Sequence, residues 1–439
     1  MSEIVYRTCR ILSQILRSVP VGTNLGLFSL LWALLSGRFL MSRGAVCPAL
    51  SDLGLSDVAV RRSVAALCYG KWQIADLLTD WKRVVEAEGR FRAHVYEGYS
   101  PVAADLSGFF RPHLKSCVGK HYASEANKAL PAVVIGIAGA VGSVGTQRLL
   151  LPRLLLRQDA EEQKEADLQQ RLLVQTHQSL AKTEVLVVDA GNSLAAVLTL
   201  EKPRFVVRGA QNFTARRNFL APYGGQGRPA EKGEIVRPLE RTYKENVLPA
   251  TPPDAVARWK VGKHKIRAHI FENLVMTDQK PGAASFRCLV IFDPRYHDPL
   301  VLVTNLPITA YAIWCLYRDR WPVEQLPLAA KPMLGAGRSY VFGEASRHRL
   351  PQLALLAGNI LSYVAATTAP LGTGFWDRCV RPTCGRLRRV LSGLHFSDLP
   401  LLEGQVRKKA SVTAHLPKGV AAHRRQKAAP TRQTLPKAA

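Results

Sequence analysis

Residues 185–191 read VLVVDAG. Four consecutive apolar residues, Val185 to Val188, suit a short strand, which would deliver Asp189 to the C-terminal edge of its sheet. Gly191 lets the chain turn sharply just beyond. A buried carboxylate is costly unless it is paired or metal-bound. Asp189 is therefore a candidate ligand, and a turn or helix-cap aspartate is the plainer reading.

The flanks of this run set its context. Upstream, residues 161–181 (EEQKEADLQQRLLVQTHQSLA) predict an amphipathic helix with Leu168, Leu172 and Leu180 on one face and acids towards its N-terminus. Before it lie VAADLSG (102–108), ALPAVVIGIAGAVG (129–142) and QRLLLPRLLLR (147–157), which suit neighbouring strands. Downstream comes RFVVR at 204–208. Three strands, a helix, a strand, a helix or turn, and a strand is the order expected of an α/β, ribonuclease-H-like core. Other mixed α/β folds share parts of that order.

Residues 211–306 interrupt the pattern with turn-rich segments around β-prone runs, KIRAHIFENLVM, FRCLVIF and PLVLVTN, and read as a β-rich insertion. Residues 1–98 carry helical periodicity, as expected of either a small DNA-binding domain or a helical cap. Helices resume at about 307 and include LPQLALLAGNILSYVAA at 350–366. The predicted organisation is 1–98 helical, 99–210 first part of the core, 211–306 insertion, 307–402 second part of the core with C-terminal helices, and 403–439 a basic, disordered tail.

Charge narrows the function. Sixty Lys and Arg against 33 Asp and Glu give the 439-residue chain a formal charge of +27. Such an excess opposes compaction and fits a polyanionic partner, either nucleic acid or an acidic membrane surface. The apolar stretch 20–42 is broken by Pro20, Gly22, Asn24 and Arg38, so it reads as a buried helix rather than a membrane span. No signal peptide is expected, because Glu3, Arg7 and Arg10 precede that stretch. Eight scattered cysteines predict reduced thiols and a cytoplasmic location. Cys379, Cys384 and His395 are a weak metal-site candidate, lacking a second matching pair.

The second informative stretch is CLYRDRWPVEQLPLAAK at 315–331, where Tyr317, Arg320, Glu324 and Lys331 fit the pattern Y-x2-R-x3-E-x6-K. On one helix Glu324 and Lys331 would share a face. The bland alternative is a salt-bridged, solvated helix face. Pro322 suits the first turn of a helix carrying Glu324, whereas Pro327 should disturb its interior. Asp105, on the early strand, is the best third acid. Asp76, Asp80 and Glu86 fall in helical periodicity, Asp167 lies on the acidic helix face, and Asp293 in CLVIFDP reads as a hairpin-turn residue. Three carboxylates suit two divalent cations roughly 3.5–4 Å apart, magnesium by ligand hardness with manganese as substitute. Arg320 and Lys331 would then grip phosphates, with Tyr317 hydrogen-bonding or stacking beside them.

Over residues 99–368 the chain resembles the DDE transposases of bacterial insertion sequences, in the cut-and-paste, insertion-sequence-four-like branch defined by that signature. The resemblance implies Asp105, Asp189 and Glu324 as the metal-binding catalytic triad, with Tyr317, Arg320 and Lys331 contacting the transposon end. It implies terminal inverted repeats and target duplex DNA as partners, a synapsed homodimer, cleavage through a DNA hairpin, strand transfer, and bacterial, nucleoid-associated activity without a membrane role. Trp321 is a candidate for stacking on a displaced base, or else for packing in the core. Arg111, Lys115 and Lys120, in the basic run after Asp105, are candidate phosphate contacts or ordinary surface charge. Where the family usually carries an aromatic shortly after the second acid, this chain has Asn192, Ser193 and Leu194. Two rival functions remain: a catalytically inactive or repurposed DNA-binding relative, and a ribonuclease-H-like nuclease, which would have no reason to carry the Tyr–Arg–Lys set.

Overall fold

The computed structural model describes residues 3–111, 114, 119–158, 164–191, 194–225, 228–381, 383–400 and 406–409. The chain is mixed α/β, built on one thirteen-stranded sheet flanked by helices. Four longer helices come first: α1 (Glu3–Ile15), α2 (Thr23–Leu35), α3 (Asp57–Tyr69) and α4 (Ile74–Glu88). Helix α2 is buried almost throughout, which is why it is apolar on every side.

The sheet starts with β1 (Ser100–Phe110), β2 (Lys128–Val144) and β3 (Gln147–Arg157), with β1 and β3 each antiparallel to β2. Helix α5 (Glu165–Gln178) leads to β4 (Glu184–Val188), which lies parallel to β1. A five-residue helix, Leu194–Leu198, then leads to β5 (Phe205–Arg208), parallel to β4. The order across these five is β3–β2–β1–β4–β5.

Both faces of β4 are covered. Val185 and Val187 join the core under the helix that follows the insertion, while Leu186 and Val188 pack with Leu172 and Leu173 of α5. Strands buried on both faces need unbroken apolar runs, which accounts for VLVV.

The insertion extends this sheet. Strands β6 (Ala255–Val261), β7 (His264–Val275), β8 (Phe286–Phe292) and β9 (Leu300–Thr304) form an antiparallel series, and β9 pairs with β5. Helix α6 (Ala310–Arg318), helix α7 (Pro322–Leu328) and a π-helical turn (Ala329–Met333) follow, then the 24-residue α8 (Glu344–Thr367) and α9 (Cys384–Ser392). Helix α8 is long and apolar enough to cross a membrane, yet 83% of its apolar window is buried inside the protein. It shares one core with α1, α2, α4 and one face of β1–β3, so the N-terminal helices form a layer on the sheet.

The expected tail falls largely outside the described residues. Its described part, 406–409, is tied down: Val406 is buried and the Arg407 carbonyl accepts from the Gly22 N–H.

Candidate active site

Strand register brings the first two acids together. Ala104 of β1 lies opposite Val188 of β4, so Asp105 and Asp189 are the next residues on adjacent parallel strands, about 4.8 Å apart in the pairing direction. Val188 also lies opposite Val207 of β5, which places Arg208 on the other side of Asp189. The Arg208 Nη1 stands 3.6 Å from Asp189 Oδ1.

The third acid arrives from above the sheet. Helix α6 ends at Arg318, the chain turns through Asp319, Arg320 and Trp321, and α7 begins at Pro322. Proline is suited to that first position because its missing N–H is not needed there. Glu324 therefore lies in the first turn of α7. The signature occupies a helix end, a turn, a second helix with Pro327 inside it and a π turn with Pro332 inside it, so no straight helix carries it.

The three carboxylates meet at one guanidinium. Arg320 Nη2 lies 2.6 Å from Glu324 Oε1 and 3.3 Å from Asp189 Oδ2, and its Nη1 lies 3.6 Å from Asp105 Oδ2. Arg320 is 6% exposed, and its Nε and Nη1 have no hydrogen-bond acceptor among the described residues. The Tyr317 hydroxyl donates to Asp189 Oδ1 at 2.9 Å, and the Arg320 guanidinium lies over the Tyr317 ring.

These contacts push the two strand acids apart electrostatically. Burial raises Asp105 to about 6, against the Leu106 N–H and Arg320, which favour its ionised form. Burial also opposes the charge of Asp189. There the Arg320 guanidinium, the Ala190 N–H, the Tyr317 hydroxyl and Arg208 prevail and hold it below its ordinary value. Burial likewise opposes the cation of Arg320, but Tyr317, Asp189 and Glu324 outweigh it.

Lys331 approaches the same strand from the π turn. Its Nζ donates to Ser107 Oγ at 2.8 Å and sits 5.0 Å from the centre of the Phe109 ring. Ser107 is two residues beyond Asp105 and so shares its face of β1. Burial lowers Lys331 to about 8.

The remaining candidates separate. Trp321 is 52% exposed, which removes the packed-core reading, and it helps to line a cavity of about 570 Å³ with Arg208, Arg320, Tyr317 and Tyr296. Arg111 is buried, and its guanidinium donates to the carbonyls of Ser339 and Val341, so its charge is committed to a chain tether rather than offered to phosphate. Lys120 is exposed at the start of the short strand Lys120–Ala123. Lys115 lies outside the described residues, as do Asn192 and Ser193.

Asp293 sits at a turn, as expected, held by the Arg295 backbone N–H and guanidinium. Asp167 accepts from the Lys164 N–H at the start of α5, and Asp80 accepts from Ser18 and Arg83. Cys384 pairs with Ser362, and Cys379 is exposed. Among the described residues these cysteines and His395 form no metal-holding group.

Two features escaped sequence reasoning. Arg208 was findable, since it ends RFVVR at the position matching Asp189. Asp319, fully buried between Tyr317 and Arg320, had no sequence signal. Its Oδ2 lies 2.5 Å from His94 Nδ1 and accepts from the Tyr96 hydroxyl at 2.7 Å, while Arg148 stands 3.5 Å from Oδ1. Together they pin the turn that carries Arg320.

Three carboxylates in reach of one cation are a suitable donor set for a hard divalent ion. Among the described residues no three acids, histidines or cysteines are arranged as a metal cage, and Arg320 lies between the three carboxylates. No family model matches this chain, and no curated protein matches it.

Proposed function

We propose that this chain is a magnesium-dependent DDE transposase that cleaves and joins DNA at the ends of its own element. The observation that carries the reading is the convergence of Asp105, Asp189 and Glu324, from three separate elements, on Arg320. The strand order β3–β2–β1–β4–β5, with the last two strands parallel to β1, supports a ribonuclease-H-like core. Such a core places acids from β1 and β4 side by side, and the signature helix supplies the third.

Asp105, Asp189 and Glu324 would hold the metal ions, magnesium or manganese in its place. When bound, these ions supply Lewis-acid stabilisation of the transferring phosphoryl group and a more acidic nucleophile. The chain's own residues do the rest. Among the described residues the Arg320 Nε and Nη1 have no acceptor, and phosphate oxygens would satisfy them. Tyr317 orients Asp189 through its hydroxyl. Lys331 adds a cation beside β1, where Ser107 fixes its direction. Trp321, exposed at the rim of the cavity, would stack on a displaced base during hairpin formation. Terminal inverted repeats, target duplex, a homodimeric synapse and a cytoplasmic, nucleoid-associated setting belong to the same proposal.

The test incubates the full chain with duplex DNA bearing the element's ends, in magnesium and separately in manganese. Wild type should nick at the ends, and Asp189→Ala should lose at least about a thousandfold in rate while still binding. Equal cleavage by both proteins would sink the proposed site. Binding without cleavage in either metal would favour the inactive DNA-binding relative.

A further inference from the structure

The β6–β7 hairpin has two unlike faces. Inward, Trp259, Ile266 and Ala268 pack into the core beneath α6, with the Trp259 ring 5.7 Å from that of Trp314. Outward, the register sets Arg258 directly opposite Arg267 and Lys260 directly opposite Lys265. All four side chains are exposed. Like charges directly opposite on a strand pair repel and destabilise the hairpin.

Two other arginines of the insertion are paired with acids. Arg217 meets Asp254 at 2.6 Å and Arg287 meets Glu272 at 3.4 Å. Among the described residues no carboxylate lies within 4.0 Å of Arg258, Lys260, Lys265 or Arg267. Arg267 is stacked on Phe292, which fixes one end of the cluster. The two acids nearby are already engaged, Asp293 by Arg295 and Asp298 by His297. A groove of about 680 Å³ runs along this cationic face, and its lining shares Asp293, Tyr296 and Asp298 with the cavity beside Arg320. Alternate residues stand about 7 Å apart along a strand, so the face presents two ranks of two cations on a rigid ribbon.

We propose that this face is a phosphate-binding track for duplex DNA, which follows the backbone away from the cleavage site without reading sequence. The inference rests on the transposase reading above. The repulsion built into the hairpin is relieved when phosphates lie between the ranks, and release of condensed counterions drives the contact.

The experiment measures binding of the full chain to a labelled end-bearing duplex across a series of NaCl concentrations. The first variant is Arg258→Gln/Lys260→Gln/Lys265→Gln, with Arg267 left on its aromatic partner. The second is the charge-conserving Arg258→Lys/Lys260→Arg/Lys265→Arg. The neutral variant should bind roughly tenfold or more weakly, and its plot of log affinity against log salt should be shallower by about 0.9 for each lost phosphate contact. Its melting temperature should not fall, since repulsion has been removed. The charge-conserving variant should match wild type. A neutral variant with the wild-type slope would overturn the track, as would loss of binding by both variants. Wild type failing to bind duplex DNA at any salt would overturn the transposase reading with it. Slopes that shift as expected in a protein that binds but never cleaves would leave the track standing and reject only the catalysis.

Discussion

At Asp105 burial opposes the charge that an ordinary aspartate carries at neutral pH. Burial holds Asp105 at about 6, while an ordinary aspartate titrates near 3.8. Between those pH values the folded protein keeps a proton that the unfolded chain has released. Folding stability therefore falls as pH rises from about 4 to about 6 and stays lowered above that range. Asp105→Asn cannot ionise, so it should be more stable than wild type at pH 7 by about 1–2 kcal/mol. That figure is kept small because 31% of the side chain still meets solvent. The gain should shrink as pH falls towards 4, and thermal melts of the two proteins at pH 7.5 and 4.5 check it. A variant no more stable at either pH would show that Asp105 carries no stored cost.

At the scale of elements, the turn between α6 and α7 decides where Arg320 and Glu324 point. Asp319 anchors it from inside, drawing His94, Tyr96 and Arg148 onto one buried carboxylate. Removing the Tyr96 hydroxyl leaves the other two partners in place, so Tyr96→Phe should cost about 1 kcal/mol. Asp319→Ala leaves the His94 ring and the Tyr96 hydroxyl without their shared partner and should cost about 3 kcal/mol. On the transposase proposal, displacing this turn moves Arg320 and Glu324, so both substitutions should lower the cleavage rate of the folded protein as well as its stability. Thermal unfolding with single-turnover cleavage separates the two effects, and an unchanged cleavage rate in folded Asp319→Ala would refute the anchoring role.

The same elements mark what could be read from sequence. VLVVDAG gave away both the strand and its acid, because a doubly covered strand needs an unbroken apolar run. The early strand was legible only over Val102 to Leu106. Ser107 to Phe110 carry a weaker local signal, and their strand conformation comes from pairing with residues 132–135 of β2. Asp105 and Asp189 become neighbours through that kind of pairing, which spacing along the chain cannot show. Arg111 looked like a phosphate contact because charge is visible in sequence, whereas its partners lie 228 and 230 residues away. The insertion's β character was legible, but its continuity with the core sheet depends on β9 choosing β5.

Across the whole molecule, the core on one face of the sheet joins the N-terminal helices, β1–β3 and α8. Asn359 of α8 sits where these layers meet. Its side-chain oxygen accepts from Trp81 Nε1 of α4 at 2.7 Å, and its amide donates to the Leu150 carbonyl of β3 at 2.6 Å. Both Trp81 and Asn359 are buried, so neither bond has water to replace it. Asn359→Ala leaves the indole N–H unsatisfied and opens a small gap, which should cost about 2–3 kcal/mol. The shared core also sets the form of the transition. The N-terminal helices should unfold together with the sheet, so tryptophan fluorescence and far-ultraviolet circular dichroism should trace one denaturant midpoint in wild type. Asn359→Ala should move both traces down by the same amount with the slope unchanged. A separate, earlier transition of the N-terminal helices in wild type would show that they fold independently, and an unmoved midpoint in the variant would show that Asn359 does not join the layers. Coincident midpoints would make the N-terminal helices and β1, the strand that carries Asp105, parts of one cooperative folding unit.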